Sequence, residues 1–136
     1  MKALSLWQPY ASLIADGRKK IETRHWELLY RGCLAIHAAK KVDRTACVTF
    51  GYDPDTIPRQ AVVCLVNVDS CVRFPHDAAP PDVYGDFAAG RFGILMTLLD
   101  KFEKAVPAKG RQGLWNWIPP WDERHYLSRI GGAQCL

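Results

Sequence analysis

The chain has 136 residues and a mass of 15.3 kDa, with 49% hydrophobic residues, 24% charged residues and a formal net charge of +4. This composition excludes an intrinsically disordered or fibrous protein, and the length fits one domain with a core of its own. No apolar run is long enough to cross a bilayer, and no basic and apolar leader is present. We therefore expect a single domain over residues 1–136, soluble and cytoplasmic.

Positive charge is concentrated at the beginning of the chain. The first 45 residues carry nine Lys or Arg against four Asp or Glu, whereas residues 46–90 carry two against six. A basic first third suits a phosphate or nucleic-acid partner, and it is equally compatible with a solvated basic surface. If the partner is a phosphate, the basic face extends to Lys40, Lys41 and Arg44. If the surface is only solvated, these residues are the charged start of a helix.

The cysteines are odd in number and form no CxxC pair. Without a secretory leader, they predict the reduced thiols of a cytoplasmic protein rather than a disulfide framework. Cysteine in an apolar run also packs as a small hydrophobic side chain. The five positions are Cys33, Cys47, Cys64, Cys71 and Cys135.

The first half of the chain predicts extended segments and two short helices. The segment Ala3–Leu6 is extended, and a helix follows that opens at Pro9 and ends at Gly17, since apolar residues recur there at helical spacing. Residues Gly32–His37 alternate between two faces, as in a strand. The segment Asp43–Phe50 predicts a second helix, with its first residue as the N-cap.

The second half predicts mainly strands. The Val-rich run Ala61–Val72 is one strand and Arg91–Leu99 is another. The proline-containing segment Phe74–Gly90 predicts a loop with at most one helical turn, and Pro107–Trp121 predicts a structured loop that crosses the domain. Several strands with two short helices predict a mixed α+β domain in the form of a small closed or half-closed β-barrel.

Charged side chains cluster between the first helix and the next extended segment. If the segment is extended, Lys20, Glu22 and Arg24 share one face, whereas a turn after Lys19 brings Lys19 close to Glu22. A Lys beside a Glu in a cleft can act as a nucleophile or proton shuttle. By composition alone a surface ion pair, worth about 0–1 kcal/mol, is the more common outcome.

The spacing Gly17-x-Lys19-x-x-Glu22-x-Arg24 resembles the G-x-K-x-x-E-x-R motif of the ASCH domain, a branch of the PUA-like superfamily. The residues around it also resemble small stand-alone bacterial and phage ASCH proteins. These further segments are Trp7–Ala11, Trp26, Tyr30–Gly32, Ile36–Ala38 and Gly113–Trp117. The resemblance implies a small PUA-like β-barrel with flanking short helices and a cleft lined by the Lys, Glu and Arg of the motif.

The same resemblance implies a function. The family is widely proposed to bind RNA or nucleotides, and one small bacterial member is an amidohydrolase that removes the acyl group from N4-acetylcytidine. That enzyme uses the motif Lys together with a Thr and a Glu. Its Lys corresponds to Lys19, and its Thr falls at the position of Glu22. Its Glu lies in a later segment, where Asp82 and Asp86 are the acids nearest to the comparable stretch.

We therefore expect Lys19, Glu22 and Thr23 to be the catalytic residues. Lys19 would serve as nucleophile or base, Glu22 as its proton partner, and Thr23 as a donor to the oxyanion. Substrate binding needs a group for a phosphate or base carbonyl and rings that stack on a base. The expected set is Arg24, Trp7, Tyr10, Trp26, His37 and Trp115. Neither a metal nor a cofactor is expected.

Two hypotheses of different classes follow. The first, which we favour, is an amidohydrolase that acts on N4-acylated cytosine nucleosides through Lys19 and Glu22. The alternative is a non-catalytic module that binds RNA or a modified nucleobase in the same cleft. The net charge of +4 suits a nucleoside-sized ligand better than a long RNA. The expected partner is a nucleoside or RNA with a modified cytosine, with no membrane and no obligate protein partner.

Overall fold

The computed structural model describes residues 1–77 and 82–131. In these residues the chain forms six strands and three short helices. The strands are β1 (Lys2–Gln8), β2 (Ile21–Arg24), β3 (Gly32–Val42), β4 (Ala61–Arg73), β5 (Phe92–Pro107) and β6 (Leu114–Asn116), and the helices are α1 (Tyr10–Ala15), α2 (Arg44–Phe50) and α3 (Glu123–Arg129). No helix in this part of the chain is long and apolar enough to span a membrane.

All of these strands belong to one sheet with the order β2-β5-β4-β3-β1-β6. Neighbouring strands are antiparallel except β1 and β3, which run parallel with Ser5 opposite His37. The α+β prediction is therefore confirmed. The ladder of backbone hydrogen bonds leaves β2 and β6 as edges, so the sheet is open and a closed barrel is not confirmed.

Register shifts curve the sheet. The pairing of β4 with β5 shifts after Val62, Leu65 and Val68, and such irregularities bend a strand and increase its twist. Edge strand β2 thereby comes close to β1, where Arg24 Nη2 donates a hydrogen bond to the backbone oxygen of Ser5 over 3.0 Å. A side chain, rather than a backbone ladder, joins these two strands.

Apolar clusters pack on both sides of the sheet. Leu34 of β3 packs in one cluster with Ile14 of α1, and Ala35 packs in the other with Trp115 and Leu127. Adjacent residues of β3 thus point to opposite clusters, as the alternation predicts. The site described below lies where α1 and β2 meet the edge of this two-sided core.

The buried amide of Gln8 fixes the corner between β1 and α1. Helix α1 has Pro9 as its N-cap, which supplies no side-chain hydrogen bond. Gln8 Oε1 accepts from the backbone N–H of Ser12 over 3.0 Å, and Nε2 donates to Ser12 Oγ and to the backbone oxygen of Pro58, both over 2.8 Å. These bonds satisfy a helix terminus that would otherwise be left with unpaired donors.

Both predicted helices are confirmed. In α2, Asp43 Oδ1 accepts from the backbone N–H of Ala46 over 3.0 Å, and Gly51 ends the helix in the left-handed conformation with φ of 87°. The loop predicted over residues 74–90 contains no helical turn in its described residues, 74–77 and 82–90.

The C-terminal part differs from the prediction. Strand β5 continues to Pro107, and the segment predicted as a loop over 107–121 contains β6, which pairs with Lys2, Ala3 and Leu4 of β1. Helix α3 was not predicted. Its N-cap, Asp122, accepts from the backbone N–H of His125 over 2.9 Å. The partners of β6 lie more than 100 positions away in the chain, so no local pattern indicates this strand.

The cysteines follow the prediction only in part. Cys47, Cys64 and Cys71 are free thiols, and the first two are buried as small apolar side chains. Cys33 is disulfide-bonded, so the prediction of a reduced thiol is wrong for this residue. Cys135 lies outside the described residues.

We expect Gly110→Ala to destabilise the fold. A Cβ at this position would lie 2.3 Å from His37 Cε1 and 2.8 Å from Ser5 Oγ, so both side chains must shift. Overpacking of this kind costs about 1–3 kcal/mol, which urea unfolding measures as a lower midpoint. Lys109→Ala, at the exposed neighbouring position, is the control and should change stability by less than about 0.5 kcal/mol. An unchanged midpoint for Gly110→Ala would show that the packing is loose.

Candidate functional site

A cleft of about 1460 Å³ opens beside β1, β2 and β3, with the loops around residues 83–86 and 110–113 on its walls. It exceeds the roughly 300–1000 Å³ of pockets that enclose a drug-sized ligand. Among the described residues that line it, seven are Lys or Arg and two are Asp or Glu. The cleft is therefore positive although the net charge of the chain is modest. The cations are Arg24, Lys40, Lys41, Arg44, Arg59, Arg91 and Arg111.

Glu22 lines this cleft and is 9% exposed. Its Oε1 accepts from the backbone N–H of Thr23 over 3.2 Å and lies 3.4 Å from Lys19 Nζ. Its Oε2 accepts from Arg24 Nε over 3.0 Å and lies 3.0 Å from Arg24 Nη2. Two cations and a backbone donor therefore hold the carboxylate in one orientation at the cleft surface.

Both geometries left open by the sequence occur together. Residues of β2 are extended, so Glu22 and Arg24 share a face of that strand. Lys19 precedes the strand, and its backbone N–H donates to the oxygen of Leu13 over 3.0 Å in the turn after α1. From this turn, the Lys19 side chain reaches Oε1 of Glu22, whereas Arg24, on the strand itself, contacts Oε2.

Lys19 does not line the cleft, because its side chain is among the most buried in the described chain, with 2% exposure. Its Nζ donates to the backbone oxygens of Ile21 and Tyr84 over 2.7 and 2.9 Å, besides facing Glu22. An ammonium has three donors and no acceptor; two of them are used by these backbone oxygens, and the charge is paired with Glu22 at 3.4 Å. The expectation that Lys19 lies at the cleft surface is therefore wrong. Lys19 instead ties Glu22 to the loop that carries Tyr84.

Thr23 lines the cleft and holds the same loop against β2. Its Oγ1 accepts from the backbone N–H of Asp86 over 3.1 Å. Gly85 packs so closely that a Cβ there would lie 2.9 Å from Thr23 Cγ2. Because Oγ1 accepts this bond, its own proton is left to donate into the cleft.

Of the two later acids considered, only Asp86 lines the cleft. Its Oδ2 lies 3.5 Å from Arg91 Nε, which also lines the cleft. Asp82 turns its Oδ1 to the backbone N–H of Tyr84 over 2.8 Å and so shapes the loop. Within residues 1–77 and 82–131, no group of three or more His, Cys, Asp or Glu is placed to hold a metal ion.

Five of the six side chains expected to bind substrate line the cleft, and Trp115 does not. Trp115 is 8% exposed and packs in the cluster that also holds Ala35 and Leu127, behind the Ser5 and His37 side chains that line the cleft. Sequence reasoning missed several lining residues, because distant loops bring them to the cleft and no local pattern marks them. The residues that line the cleft as expected are Arg24, Trp7, Tyr10, Trp26 and His37, and those missed include Phe50, Arg59, Tyr84 and Arg111.

His37 belongs to a polar chain in the wall of the cleft. Its Nε2 lies 2.7 Å from the backbone oxygen of Ala108, which only accepts, so Nε2 carries the proton. Nδ1 then accepts from Ser5 Oγ over 3.0 Å, and Trp115 Nε1 donates to the same Oγ over 3.0 Å. Burial lowers the pKa of His37, although the hydrogen bond to Ala108 opposes the shift. The imidazole is therefore neutral, and both of its nitrogens are occupied by hydrogen bonds within the protein.

Comparison with known proteins decides the family. The model of the ASCH domain matches residues 4–82, which is more than half of the chain and includes most of β1 and all of β2, with Lys19 and Glu22. This chain belongs to the ASCH domain family. The resemblance seen in the Gly17 to Arg24 motif is thereby confirmed. In the comparison with curated protein sequences, none matches this chain.

Solved structures agree with this fold. ASCH from Zymomonas mobilis is 15% identical, with 93% of each chain covered and a TM-score of 0.56. Two single-substitution variants of that protein give TM-scores of 0.55 at 15% and 16% identity, and cover 93% and 94% of this chain and 96% and 94% of their own. At such identity the similarity shows a shared fold alone.

We expect Lys19→Met to destabilise the domain by about 1–3 kcal/mol, because the oxygens of Ile21 and Tyr84 lose a buried donor. Glu22 keeps its contact with Arg24, which limits the loss. Chemical unfolding measures the difference. Lys20→Met, at the exposed next position, is the matched control and should stay within about 0.5 kcal/mol of the wild type. Equal effects of the two substitutions would show that Lys19 is not structural.

Stability should fall as the pH drops below the ordinary His pKa of 6.5. Burial lowers the pKa of His37 in the folded state, so the unfolded chain binds more protons in the window just below 6.5. The loss continues until the pH reaches the lower pKa of the folded state. His37→Gln should show a flatter dependence of unfolding free energy on pH just below 6.5. Parallel profiles would remove His37 as the cause.

Proposed function

We propose that this ASCH domain is an amidohydrolase that removes the acyl group from N4-acylated cytosine nucleosides of the N4-acetylcytidine type. The observation that carries the proposal is the Glu22 carboxylate, which lines a positive cleft and is oriented by two cations. The motif resemblance supports the substrate class, and the cleft is large enough for a nucleoside.

Glu22 serves as the proton shuttle of the reaction. It takes a proton from a water molecule whose oxygen attacks the acyl carbonyl carbon. When the C–N bond breaks, Glu22 returns the proton to the exocyclic nitrogen. The products are a carboxylic acid and the free amino base, so atoms and protons balance. A carboxylate with fixed orientation suits both steps.

Neighbouring side chains supply the remaining groups. The free hydroxyl proton of Thr23 is available to the oxyanion that develops on the acyl carbonyl. Burial raises the pKa of Tyr10, and Asp43 and Glu22 raise it further, so its hydroxyl stays protonated and can donate a hydrogen bond. Arg24 has further N–H donors for the carbonyl of the base.

Lys19 is a positioning residue in this mechanism. Its ammonium compensates the Glu22 charge and also holds the backbone oxygen of Tyr84, so it sets the distance between β2 and the loop over the cleft. Rings near this position offer stacking surfaces for the base. Trp26 lies 6.0 Å from the Arg24 guanidinium, and Tyr84 meets Phe50 edge to face at 5.0 Å.

A non-catalytic module that binds RNA or a modified nucleobase is the second candidate. The excess of cations in the cleft favours it, and ASCH domains are associated with nucleic-acid binding in general. The two candidates share the ligand and differ in turnover. Saturable binding without product would favour the second.

Purified protein incubated with N4-acetylcytidine should release cytidine, followed by the change in ultraviolet absorbance. We expect Glu22→Gln to slow turnover by more than about tenfold, the lower reach of general acid–base catalysis, while the ligand still binds. Glu27→Gln, an exposed carboxylate outside the cleft, should leave the rate unchanged.

Glu22→Gln leaves Lys19 with a neutral partner, so thermal unfolding is used to check that this variant is folded. Thr23→Val is a second variant that does not alter this ion pair. Thr23→Val removes the hydroxyl and keeps the shape, so it should lower kcat more than it raises KM, whereas Thr23→Ser should retain activity. Full turnover in folded Glu22→Gln would exclude Glu22 as the shuttle.

A further inference from the structure

The Glu22 site occupies one part of the cleft, and a second part lies along β1 and β3. Trp7 of β1 and Lys41 of β3 line this part, and Lys41 Nζ lies 4.5 Å from the centroid of the Trp7 ring. Gly110 packs on the Ser5 and His37 side chains of the same strand pair. The next residue, Arg111, also lines the cleft, and its backbone follows directly on this contact with β1 and β3.

The cations in the two parts differ in their partners. Arg24, Arg44 and Arg91 each form an ion pair with a carboxylate of this chain. In the described residues, Lys41 and Arg111 form no ion pair, and both are exposed. Their charge is therefore available to a ligand, whereas the charge near Glu22 is largely compensated within the protein.

An aromatic surface accompanies these two cations. Trp7 is 50% exposed, which is unusual for so large an apolar side chain in a domain that buries Trp115 and Trp117 to 8% and 5%. An exposed indole beside an ammonium and a guanidinium matches one nucleotide, since the ring stacks on a base and the cations bind a phosphate.

We propose that Trp7, Lys41 and Arg111 form a subsite for the phosphate and neighbouring base of a nucleotide whose cytosine lies at Glu22. The preferred substrate is then a phosphate-bearing acylated cytosine, as a nucleotide or within a short single strand, rather than the free nucleoside. The identity of the cytosine rests on the proposed function. The subsite itself rests on the uncompensated cations, the exposed indole and a cleft of about 1460 Å³.

Binding tests the subsite without any need for turnover. Isothermal titration with cytidine, cytidine 5′-monophosphate and the dinucleotide CpC should show at least about tenfold tighter binding of a phosphate-bearing probe at low salt. If only the monophosphate gains, the bound phosphate is a terminal one, and equal gains show that the subsite binds either kind. If only CpC gains, it is a phosphodiester. Equal affinity of all three probes would overturn the proposal.

Salt dependence and substitutions locate the contacts. The logarithm of the affinity for CpC should fall linearly with the logarithm of salt concentration, with a slope of about 0.7 for its single phosphate, and Lys41→Gln and Arg111→Gln should each flatten this slope. Trp7→Ala should weaken CpC binding by about tenfold. Lys104→Gln, an exposed cation of β5 outside the cleft, is the control and should leave slope and affinity unchanged. Slopes that match the wild type in both cleft variants would also overturn the proposal.

Turnover of N4-acetylcytidine, free and within a dinucleotide, separates this proposal from the preceding one. Hydrolysis of both at equal kcat/KM, with equal binding of the three unmodified probes, supports the amidohydrolase and rejects the subsite. Binding that depends on Lys41 and Arg111, without hydrolysis, supports the subsite and rejects the amidohydrolase. Thermal unfolding confirms that each variant is folded.

Discussion

The buried carboxylate of Glu22 is the constraint on which the rest of the site depends. A charge taken out of water is tolerated only when it is paired and hydrogen-bonded. Lys19, from the turn after α1, and Arg24, from β2, satisfy this need, and each also binds a backbone oxygen elsewhere. Lys19 binds Tyr84 and Arg24 binds Ser5. One carboxylate therefore couples a helix, two strands and a loop, so a change in any of them moves the group at the cleft surface.

The ion-pair network of Lys19, Glu22 and Arg24 lies at an open edge of the sheet. Strand β6 pairs with β1 only from Lys2 to Leu4, and among the described strands no other one continues along that edge. Arg24 reaches Ser5 at the point where the ladder stops. Had a strand continued there, its backbone would fill the space that the cleft occupies. The curvature of the sheet brings β2 near enough for a side-chain contact and leaves the gap in which a ligand fits.

Local patterns predicted most of the elements and the charged motif, but not β6, α3, the burial of Lys19 or the contacts between distant residues. The Asp43 cap and the alternation in β3 act within a few residues, and the spacing of Lys19 and Glu22 indicated their contact. The burial of Lys19 could not be predicted, since Lys is mostly exposed and becomes buried only when every donor finds a partner. One of its partners, Tyr84, is 65 positions away, and a single sequence does not reveal that proximity.

Net charge, like local sequence pattern, does not reveal which residues lie close together in the fold. A net charge of +4 favoured a nucleoside-sized ligand over a long RNA, yet net charge sums residues that never meet. Most acids of residues 46–90 do not line the cleft; Asp55 is paired with Arg44, and Asp86, which does line it, is paired with Arg91. What a ligand meets is the charge left over after internal pairing. Among the described cleft residues that remainder lies at Lys40, Lys41, Arg59 and Arg111, with Lys41 beside the exposed indole of Trp7, whereas Glu22 sits among charges already compensated. A neutral base therefore suits the Glu22 end of the cleft, and a phosphate suits the other.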